Sequence, residues 1–202
     1  MEKFIDLIFR QDVKKIEALI KSGEIKADED VNRGQRALAL ASACNYIDVM
    51  KCLIKNGADV NESNADDLGY TPLEEAAREG KVEAVKLLIK ENAQLDKGNT
   101  INTNAFIGAC ICAQTDVIEI LLDSGANINH ADINGQTALH YLCRYAKQWG
   151  GGVITETING ITREKENSRY KKHTITFEKL LEKGADVNLE TKYGYSALHL
   201  AS

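Results

Sequence analysis

Three acidic residues at a predicted turn are the first candidates for chemistry in this sequence. Glu62, Asp66 and Asp67 fall within the short segment ESNADDL, and carboxylate oxygens are the ligands that calcium prefers. A calcium loop needs a fixed ligand spacing and a defined glycine, and this segment has neither. A solvated turn, in which Asp and Asn side chains accept hydrogen bonds from nearby backbone amides, explains the same residues. We therefore expect no metal and no cofactor.

Cysteines are the next candidates, as nucleophiles or metal ligands. Cys110 and Cys112 lie two residues apart in a predicted helix, so their side chains point about 200° apart and cannot chelate one ion together. Small buried thiols at alanine-like positions explain both residues, and also Cys44, Cys52 and Cys143. No sequence feature pairs a cysteine with a histidine base, and no nucleotide-binding loop or nucleophile elbow is present. The sequence predicts no catalytic residue and no enzyme.

Charge and composition narrow the class of protein further. The chain has 202 residues and a net charge of −5, whereas general nucleic-acid-binding proteins are usually basic. No apolar run is long enough for a transmembrane helix, and the amino terminus lacks the features of a signal peptide. Five cysteines without paired spacing suit a reducing compartment. We therefore predict a cytoplasmic protein that binds neither nucleic acid nor membrane.

The elements that position these residues are clearest in segment 69–96, GYTPLEEAAREGKVEAVKLLIKENAQLD. Thr71 and Pro72 suit the first turn of a short helix, and Gly80 separates that helix from a second one. The first helix has a narrow face of small residues, and the second has one apolar stripe that includes Leu88. Neither helix can bury its face alone, so we expect copies of the unit on both sides.

Copies of this unit are present along the chain. They begin at Gly34, Gly69, Asn102, Gly135 and Gly194, so the spacings are 35, 33, 33 and 59 residues, the last being one 33-residue period plus 26 inserted residues. The motifs G-x-T-A-L-H and G-A-x-x-N recur in the same relative phase. With this period they make the sequence resemble the ankyrin-repeat family over nearly the whole chain, apart from about residues 147–172.

The resemblance implies an all-α ankyrin-repeat solenoid with β-turn fingers, and the residues inserted in the fourth full repeat predict a β-hairpin there. It also implies that Thr137 and His140, and again Ser196 and His199, tie a turn to the next repeat by hydrogen bonds. We predict a single domain over residues 1–202. Its parts are a capping repeat (1–23), full repeats (24–61, 62–96, 97–129 and 130–188) and a truncated repeat (189–202).

The insertion, residues 147–172, interrupts the fourth repeat between its two helices. The runs VITETI and ITRE flank Asn159-Gly160, which is a strong signal for a hairpin. Two hypotheses remain open. The insertion is either a tolerated surface loop, or a protruding hairpin whose Trp149, Tyr170 and basic exit contact a partner.

In the ankyrin-repeat family, finger tips and the exposed faces of the first helices line a groove that binds proteins. The resemblance therefore implies a non-catalytic scaffold for protein–protein interaction. The positions that we predict to bind a partner are Tyr70, Arg78, Glu79, Ile111, Ile133, Arg144, Tyr145, Trp149, Tyr170 and Tyr193. Other positions carried over to this face are Ala43, Cys44, Asp67, Leu68, Thr100, Ile101, Thr103, Cys112, Gln136, Lys192 and Tyr195.

Alternatives to this scaffold role stay open at the level of the sequence. Either the chain performs this scaffold function by itself, or it is the recognition module of a larger enzyme or secreted effector that continues beyond Ser202. The second alternative rests on the position of Ser202, which falls midway through a repeat. Met1 precedes the capping helix directly and is expected to be a natural start. We expect a monomer, with self-association through the open C-terminal edge as the alternative. The identity of the protein partner does not follow from the sequence.

Overall fold

A computed structural model describes residues 3–148, 153–158, 161–166 and 168–201, and the side chains of residues 3–144 and 171–200. The chain forms two compact units, Met1–Asn127 and Ile128–Ser202. The described elements are mostly short helices, accompanied by two small antiparallel sheets. The all-α fold class predicted from the repeats is confirmed.

The first unit contains four consecutive helix pairs that stack in two rows. The first helices pack in the order α1, α3, α5 and α7, and the second helices pack in the order α2, α4, α6 and α8. The pairs are α1 (Phe4–Phe9) and α2 (Val13–Ser22), α3 (Ala37–Ala43) and α4 (Ile47–Lys55), α5 (Pro72–Arg78) and α6 (Val82–Lys90), and α7 (Ala105–Ile111) and α8 (Thr115–Asp123).

The two rows are buried in different ways because their sequences differ. Helices α3, α5 and α7 are short and rich in alanine, and nearly all their residues are buried, including Ala76 and Ala77 of α5. Small side chains let the neighbouring helices approach closely. The second helices are amphipathic, and Leu53, Leu88 and Leu121 are fully buried at equivalent positions. The core of the unit therefore lies between the rows, as the apolar stripe predicts.

Side-chain caps stand at the start of two of the first helices, α5 and α7. The Thr71 hydroxyl accepts a hydrogen bond from the backbone N–H of Glu74 at 3.1 Å, and Pro72 occupies the first helical position. In the next repeat Asn104 takes over this role, since its Oδ1 accepts from the Ile107 N–H at 2.9 Å. Arg36 makes no side-chain cap at the start of α3.

The residue between the two helices of each pair has a left-handed backbone. Gln11, Asn45, Gly80 and Ala113 occupy this position, with φ values of 54°, 59°, 65° and 52°. Only glycine adopts this conformation without steric cost. Asn45 also contributes a bond to the stack, because its Oδ1 accepts from the Ala84 N–H at 3.0 Å.

Fingers connect the helix pairs and bond to one another. The first finger is a small antiparallel sheet of β1 (Asp30–Asn32) and β2 (Gln35–Arg36). The Ala65 N–H of the second finger donates to the Gly34 carbonyl at 2.6 Å. The Thr100 N–H of the third finger donates to the Leu68 carbonyl at 3.1 Å. Neighbouring fingers in this unit are therefore joined by backbone hydrogen bonds.

The second unit holds one helix pair, the insertion and a final short helix. Helix α9 packs against α10 and against α11. The predicted tie is confirmed: His140 Nδ1 lies 2.9 Å from the Thr137 hydroxyl, and Nε2 lies 3.0 Å from the Tyr195 carbonyl. The elements are α9 (Ala138–Gln148), β3 (Val153–Ile158), β4 (Ile161–Glu166), α10 (Ser168–Glu182) and α11 (Ala197–Ala201).

The insertion contains two antiparallel strands, β3 and β4, with Ile158 opposite Ile161. These strands coincide with the runs for which the sequence predicts a hairpin, while residues 159–160 lie outside the described residues. The helices reach further into the insertion than its predicted bounds allow, because α9 extends to Gln148 and α10 begins at Ser168. The run SRYKK contains no glycine or proline, and Lys and Arg favour helix.

Candidate functional site

Tyr70 and Arg78 lie together on the finger side of the first unit. Tyr70 ends the second finger, and Arg78 is the last residue of α5. The guanidinium carbon of Arg78 lies 4.9 Å from the centre of the Tyr70 ring, a cation–π contact. Both side chains are half-buried. Two of the predicted partner-binding residues therefore form one contiguous contact.

The path of the Arg78 side chain depends on the neighbouring repeat. A Cβ atom on Gly108 of α7 would lie 2.8 Å from Arg78 Cγ, so the arginine crosses α7 where a side chain is missing. The Arg78 carbonyl accepts a hydrogen bond from Gln114 Nε2 at 2.9 Å. Packing on Gly108 and this bond hold the residue before any partner arrives, which reduces the entropy lost on binding.

Glu74 is fully buried one turn before Arg78 on α5. Its Oε1 accepts hydrogen bonds from Asn99 Nδ2 at 2.9 Å and from the Thr103 hydroxyl at 3.1 Å. Its Oε2 is buried and has no hydrogen-bond partner in the described part of the chain. Burial raises the pKa of this carboxyl to about 8, although the bonds from Thr103 and Asn99 and the charge of Arg78 act against that shift.

Glu75 ties the second finger to α5. Its Oε1 accepts from Asn64 Nδ2 at 3.0 Å, and Asn64 Oδ1 accepts from the Arg36 N–H at 2.9 Å. Burial raises the pKa of the Glu75 carboxyl, while the Asn64 bond and the Arg78 charge lower it. The chain of bonds links the first finger, the second finger and α5.

Thr103 is a correction to the predicted set of exposed positions. It is buried, and its hydroxyl donates to Glu74 while accepting from Asn99 Nδ2 at 2.6 Å. The Asn99 side chain in turn accepts from the Ile101 N–H at 3.0 Å. Thr103 therefore fixes the base of the third finger, since the residue before a capping Asn points toward α5.

The tips of the second and third fingers present apolar side chains to solvent. Leu68 is 46% exposed and Ile101 is 40% exposed. Glu79, which caps α5, is exposed, while Ile111 of α7 is half-buried. Exposed apolar residues beside a preformed arginine–aromatic pair have the composition of an interface centre.

The second unit carries its own finger residues. Ile133 is exposed and Tyr193 is 74% exposed, and the fingers that carry them are joined by the Lys192 N–H, which donates to the Asn134 carbonyl at 2.8 Å. Arg144 is exposed at the C-terminal part of α9, with its guanidinium carbon 5.1 Å from the centre of the Tyr141 ring.

Three predicted partner-binding residues cannot be placed with their side chains. Trp149 lies outside the described residues. Tyr145 lies in α9 and Tyr170 lies in α10, but their side chains are outside the described part.

The acidic turn and the cysteines show no arrangement for catalysis or metal binding. Asp66 Oδ1 accepts from the N–H groups of Leu68 and Gly69 at 3.1 and 2.8 Å, as a solvated turn predicts. Among the described residues, no group of three or more His, Cys, Asp or Glu could hold a metal ion. Burial raises the pKa of the Cys110 thiol far above its usual range, so the thiolate is disfavoured.

The other four cysteines form no disulfide bond and differ in their exposure. Cys52 and Cys143 are buried, as predicted, whereas Cys44 and Cys112 are only half-buried, at the positions that directly follow α3 and α7. Burial raises the pKa of the Cys44, Cys52 and Cys143 thiols. Within the described helices, none is long and apolar enough to cross a membrane.

Sequence reasoning missed Glu74, Asn99 and Gly108 as parts of this site. One signal was available: Glu74 occupies the motif position that His140 and His199 hold in later repeats. The role of Gly108 had no such signal, since it depends on the packing of α7 against α5.

Comparison with known proteins identifies the repeat. Residues 7–99 match a family model described as ankyrin repeats in three copies, and residues 109–146 match a second model described as ankyrin repeats in many copies.

Three curated relatives illustrate the similarity. Protein phosphatase 1 regulatory subunit 12A of Mus musculus is 37% identical over 87 residues, which is 43% of this chain and 8% of the relative. The human Neurogenic locus notch homolog protein 1 is 30% identical over 137 residues, 67% of this chain and 5% of the relative. The human SH3 and multiple ankyrin repeat domains protein 2 is 27% identical over 204 residues, 100% of this chain and 10% of the relative. The chain thus spans a tenth or less of the length of each.

Proposed function

The chain belongs to the ankyrin-repeat family, and from that premise we propose that it is a non-catalytic scaffold that binds a protein partner. The binding surface is the finger and first-helix face of the first unit, centred on Tyr70 and Arg78. Ankyrin repeats generally mediate protein–protein interaction, and the name of one relative describes a regulatory subunit. The identity of the partner is not part of this proposal.

The observation that supports this face most strongly is the preformed Tyr70–Arg78 pair. Its contact of 4.9 Å, the passage of Arg78 over Gly108 and the Gln114 bond exist in the free protein. Arginine and tyrosine are enriched among residues that dominate binding energies, and ordering them in advance lowers the entropic cost. Leu68 and Ile101 supply adjoining apolar surface.

We include a second contact region in the second unit. It comprises the finger residues Ile133 and Tyr193 and the α9 residue Arg144. A monomer and a cytoplasmic location are also proposed. None of the five cysteines, all of which lie in the described part of the chain, forms a disulfide bond, which suits a reducing compartment.

The hairpin β3–β4 is a second candidate contact. Its six paired residues on each strand form an ordered element within the insertion rather than an unstructured loop, and long ordered insertions are often functional. This candidate predicts that the insertion contacts the partner together with the finger face.

Capture from a cell lysate with tagged variants tests both contacts. One variant replaces Tyr70, Arg78, Arg144 and Tyr145 by alanine, and another replaces residues 149–167, between α9 and α10, by a short Gly/Ser link. The matched control changes the exposed Lys86 and Lys90 of α6 to alanine. We expect the unmodified protein and the control to recover the same partner, and the fourfold variant to lose it.

The hairpin variant decides between the two candidates. If it loses the partner while its melting is unchanged, the insertion takes part in binding; if it keeps the partner, the insertion is a tolerated loop. A partner that the fourfold variant still recovers at the level of the control would contradict the proposed finger face.

A further inference from the structure

Glu74 and Arg78 are spaced for an ion pair that the structure does not contain. An acidic residue followed by a basic residue four positions later is the favourable order on a helix. No ion pair joins Arg78 to a carboxylate among the described residues; its guanidinium lies over the Tyr70 ring instead. The buried Oε2 of Glu74 meanwhile lacks a hydrogen-bond partner in the same part of the chain. The Glu74 carboxyl and the Arg78 guanidinium are therefore each available to the other as an ion-pair partner.

The surroundings of Glu74 offer Oε2 no other cation. On its own helix the charged groups that act on Glu74 are Arg78 and Glu75. The third finger contributes the amide of Asn99 and the hydroxyl of Thr103, both already bonded to Oε1.

The helices packed against α5 add no competing charge at this carboxyl. On α7 the buried titratable group is Cys110, and the residue that follows α3 is Cys44, whose thiol is half-buried. On α6 the exposed Glu83 and Lys86 pair with each other at 3.5 Å.

The side chains of Arg78 and Glu74 both lie close to Gly108 of α7. Gly108 has no side chain, and the position of its missing Cβ is 2.8 Å from Arg78 Cγ and 3.7 Å from Glu74 Cγ. The two side chains thus pass over the same open spot on α7. An exchange of the Tyr70 ring for Oε2 would require the Arg78 side chain to rotate about its bonds.

We propose that Glu74 and Arg78 form a proton-controlled switch in the binding face. While Glu74 is protonated, the guanidinium of Arg78 lies over Tyr70 and faces a partner. When the Glu74 carboxyl releases its proton to solvent, the guanidinium leaves the ring and pairs with Oε2. The regulatory meaning of the switch rests on the proposed function, whereas the exchange itself is a property of the free protein.

The direction of the control follows from the two states. Burial holds the pKa of Glu74 near 8, so the Tyr70-bound state prevails at neutral pH and the Glu74-bound state above that value. A partner that contacts Arg78 over Tyr70 favours the protonated state. Its affinity therefore falls as pH rises through 8, and its binding raises the pKa of Glu74 by linkage.

Nuclear magnetic resonance of the isotope-labelled free protein tests the switch. The side-chain carboxyl carbon of Glu74 and the Nε–H group of Arg78 are followed between pH 6 and pH 9.5. We expect both signals to change with one shared midpoint near 8. The nuclear Overhauser effect between the Arg78 side chain and the Tyr70 ring is expected to be lost over the same interval.

Two variants control this experiment. Glu74→Gln keeps an oxygen for Asn99 and Thr103 but cannot ionise, so the Arg78 signal should become independent of pH. Glu75→Gln removes the neighbouring carboxyl, which bonds Asn64 at 3.0 Å. The Arg78 signal should still titrate in this variant, with a lower midpoint because the Glu75 charge raises the pKa of Glu74.

The outcomes separate the proposal from its rivals. An Arg78 signal that does not titrate, that still titrates in Glu74→Gln, or that stops titrating in Glu75→Gln overturns the switch. Should Glu74→Gln not fold, the shared midpoint and the lost Arg78–Tyr70 contact in the unmodified protein decide alone. No partner is used, so failure of the switch leaves the proposed function standing, and a failed capture experiment leaves the switch standing.

Discussion

At the scale of single residues, the second repeat replaces an imidazole with a carboxyl. His140 bonds to the Tyr195 carbonyl of the following finger at 3.0 Å. At the same motif position Glu74 reaches Asn99 and Thr103 of the following finger through Oε1. Both side chains connect a first helix to the next finger. The carboxyl does so while it is buried, and this burial raises its pKa and makes the connection sensitive to pH.

The pH dependence of stability should reveal this buried carboxyl. The pKa of Glu74 is about 8 in the folded chain, against an ordinary value of 4.5 for a glutamate carboxyl. Between these values the unfolded chain has released the proton and the folded chain has kept it, so stability falls as pH rises from about 4.5 to 8. The loss is on the order of a few kcal/mol at the upper end. Glu74→Gln should remove this part of the decline, as measured by urea unfolding at pH 5 and pH 8.

Glu75→Gln is the control variant for that measurement, since burial also raises the pKa of the Glu75 carboxyl. The stability of Glu74→Gln relative to the unmodified protein should increase between pH 5 and pH 8. An equal difference at both pH values would show that Glu74 ionises normally in the folded chain.

Only some of these residue-scale features could be predicted from the sequence. The cap by Thr71 and the left-handed backbone of Asn102, φ 58°, follow from local residue preferences. The contact between Tyr70 and Arg78 does not, because it depends on Gly108 in the next repeat. Local rules describe a residue and its near neighbours, and this contact is set by the packing of two helices.

At the scale of elements, the packing of α5 on α7 couples stability and the site. Gly108→Ala adds a Cβ that would lie 2.8 Å from Arg78 Cγ, so the flexible arginine must move. Alanine also favours a helix over glycine by up to about 1 kcal/mol. We expect stability to stay within about 1 kcal/mol of the unmodified protein while partner affinity falls, as measured by thermal unfolding and by titration with the captured partner.

A double variant shows whether the effect passes through the arginine. In an Arg78→Ala background, Gly108→Ala should change partner affinity little further, because the displaced side chain is already absent. Additive losses of affinity in the two variants would mean that Gly108 acts by another route.

The row of second helices supplies the core, and Leu88 of α6 tests it. Leu88 is fully buried, so Leu88→Ala should destabilise the protein by about 2–5 kcal/mol through lost burial and the cavity left behind. Leu68, at an exposed finger tip, is the matched control, and Leu68→Ala should cost less than about 0.5 kcal/mol. Chemical unfolding measures both. A change below about 0.5 kcal/mol for Leu88→Ala would contradict the two-row core.

At the scale of the whole molecule, the order of helix pairs was predictable because every repeat solves the same burial problem. A 33-residue period and one apolar stripe per second helix are sufficient to predict which helices pack together in the first unit. The bounds of the insertion were less accessible. The pairing of β3 and β4 could be predicted from the turn signal between them. The extension of α9 to Gln148 and the start of α10 at Ser168 could not, because no repeat motif marks these positions.

The site was less predictable than the fold for a related reason. Repeat motifs report the residues that make each unit alike, whereas binding depends on the residues that make them different. Position along the motif placed Tyr70 and Arg78 on the finger side, and it also placed the buried Thr103 there. The single-domain assignment and the repeat bounds remain predictions.

Hydrogen exchange of the protein alone and in complex with the captured partner tests the central claim most directly. Binding through the finger face should slow exchange at the second and third fingers and in α5 and α7, around Leu68, Tyr70 and Ile101. The Arg78→Ala variant should lose that protection. Protection confined to α4, α6 and α8, or to β3 and β4 alone, would contradict the account.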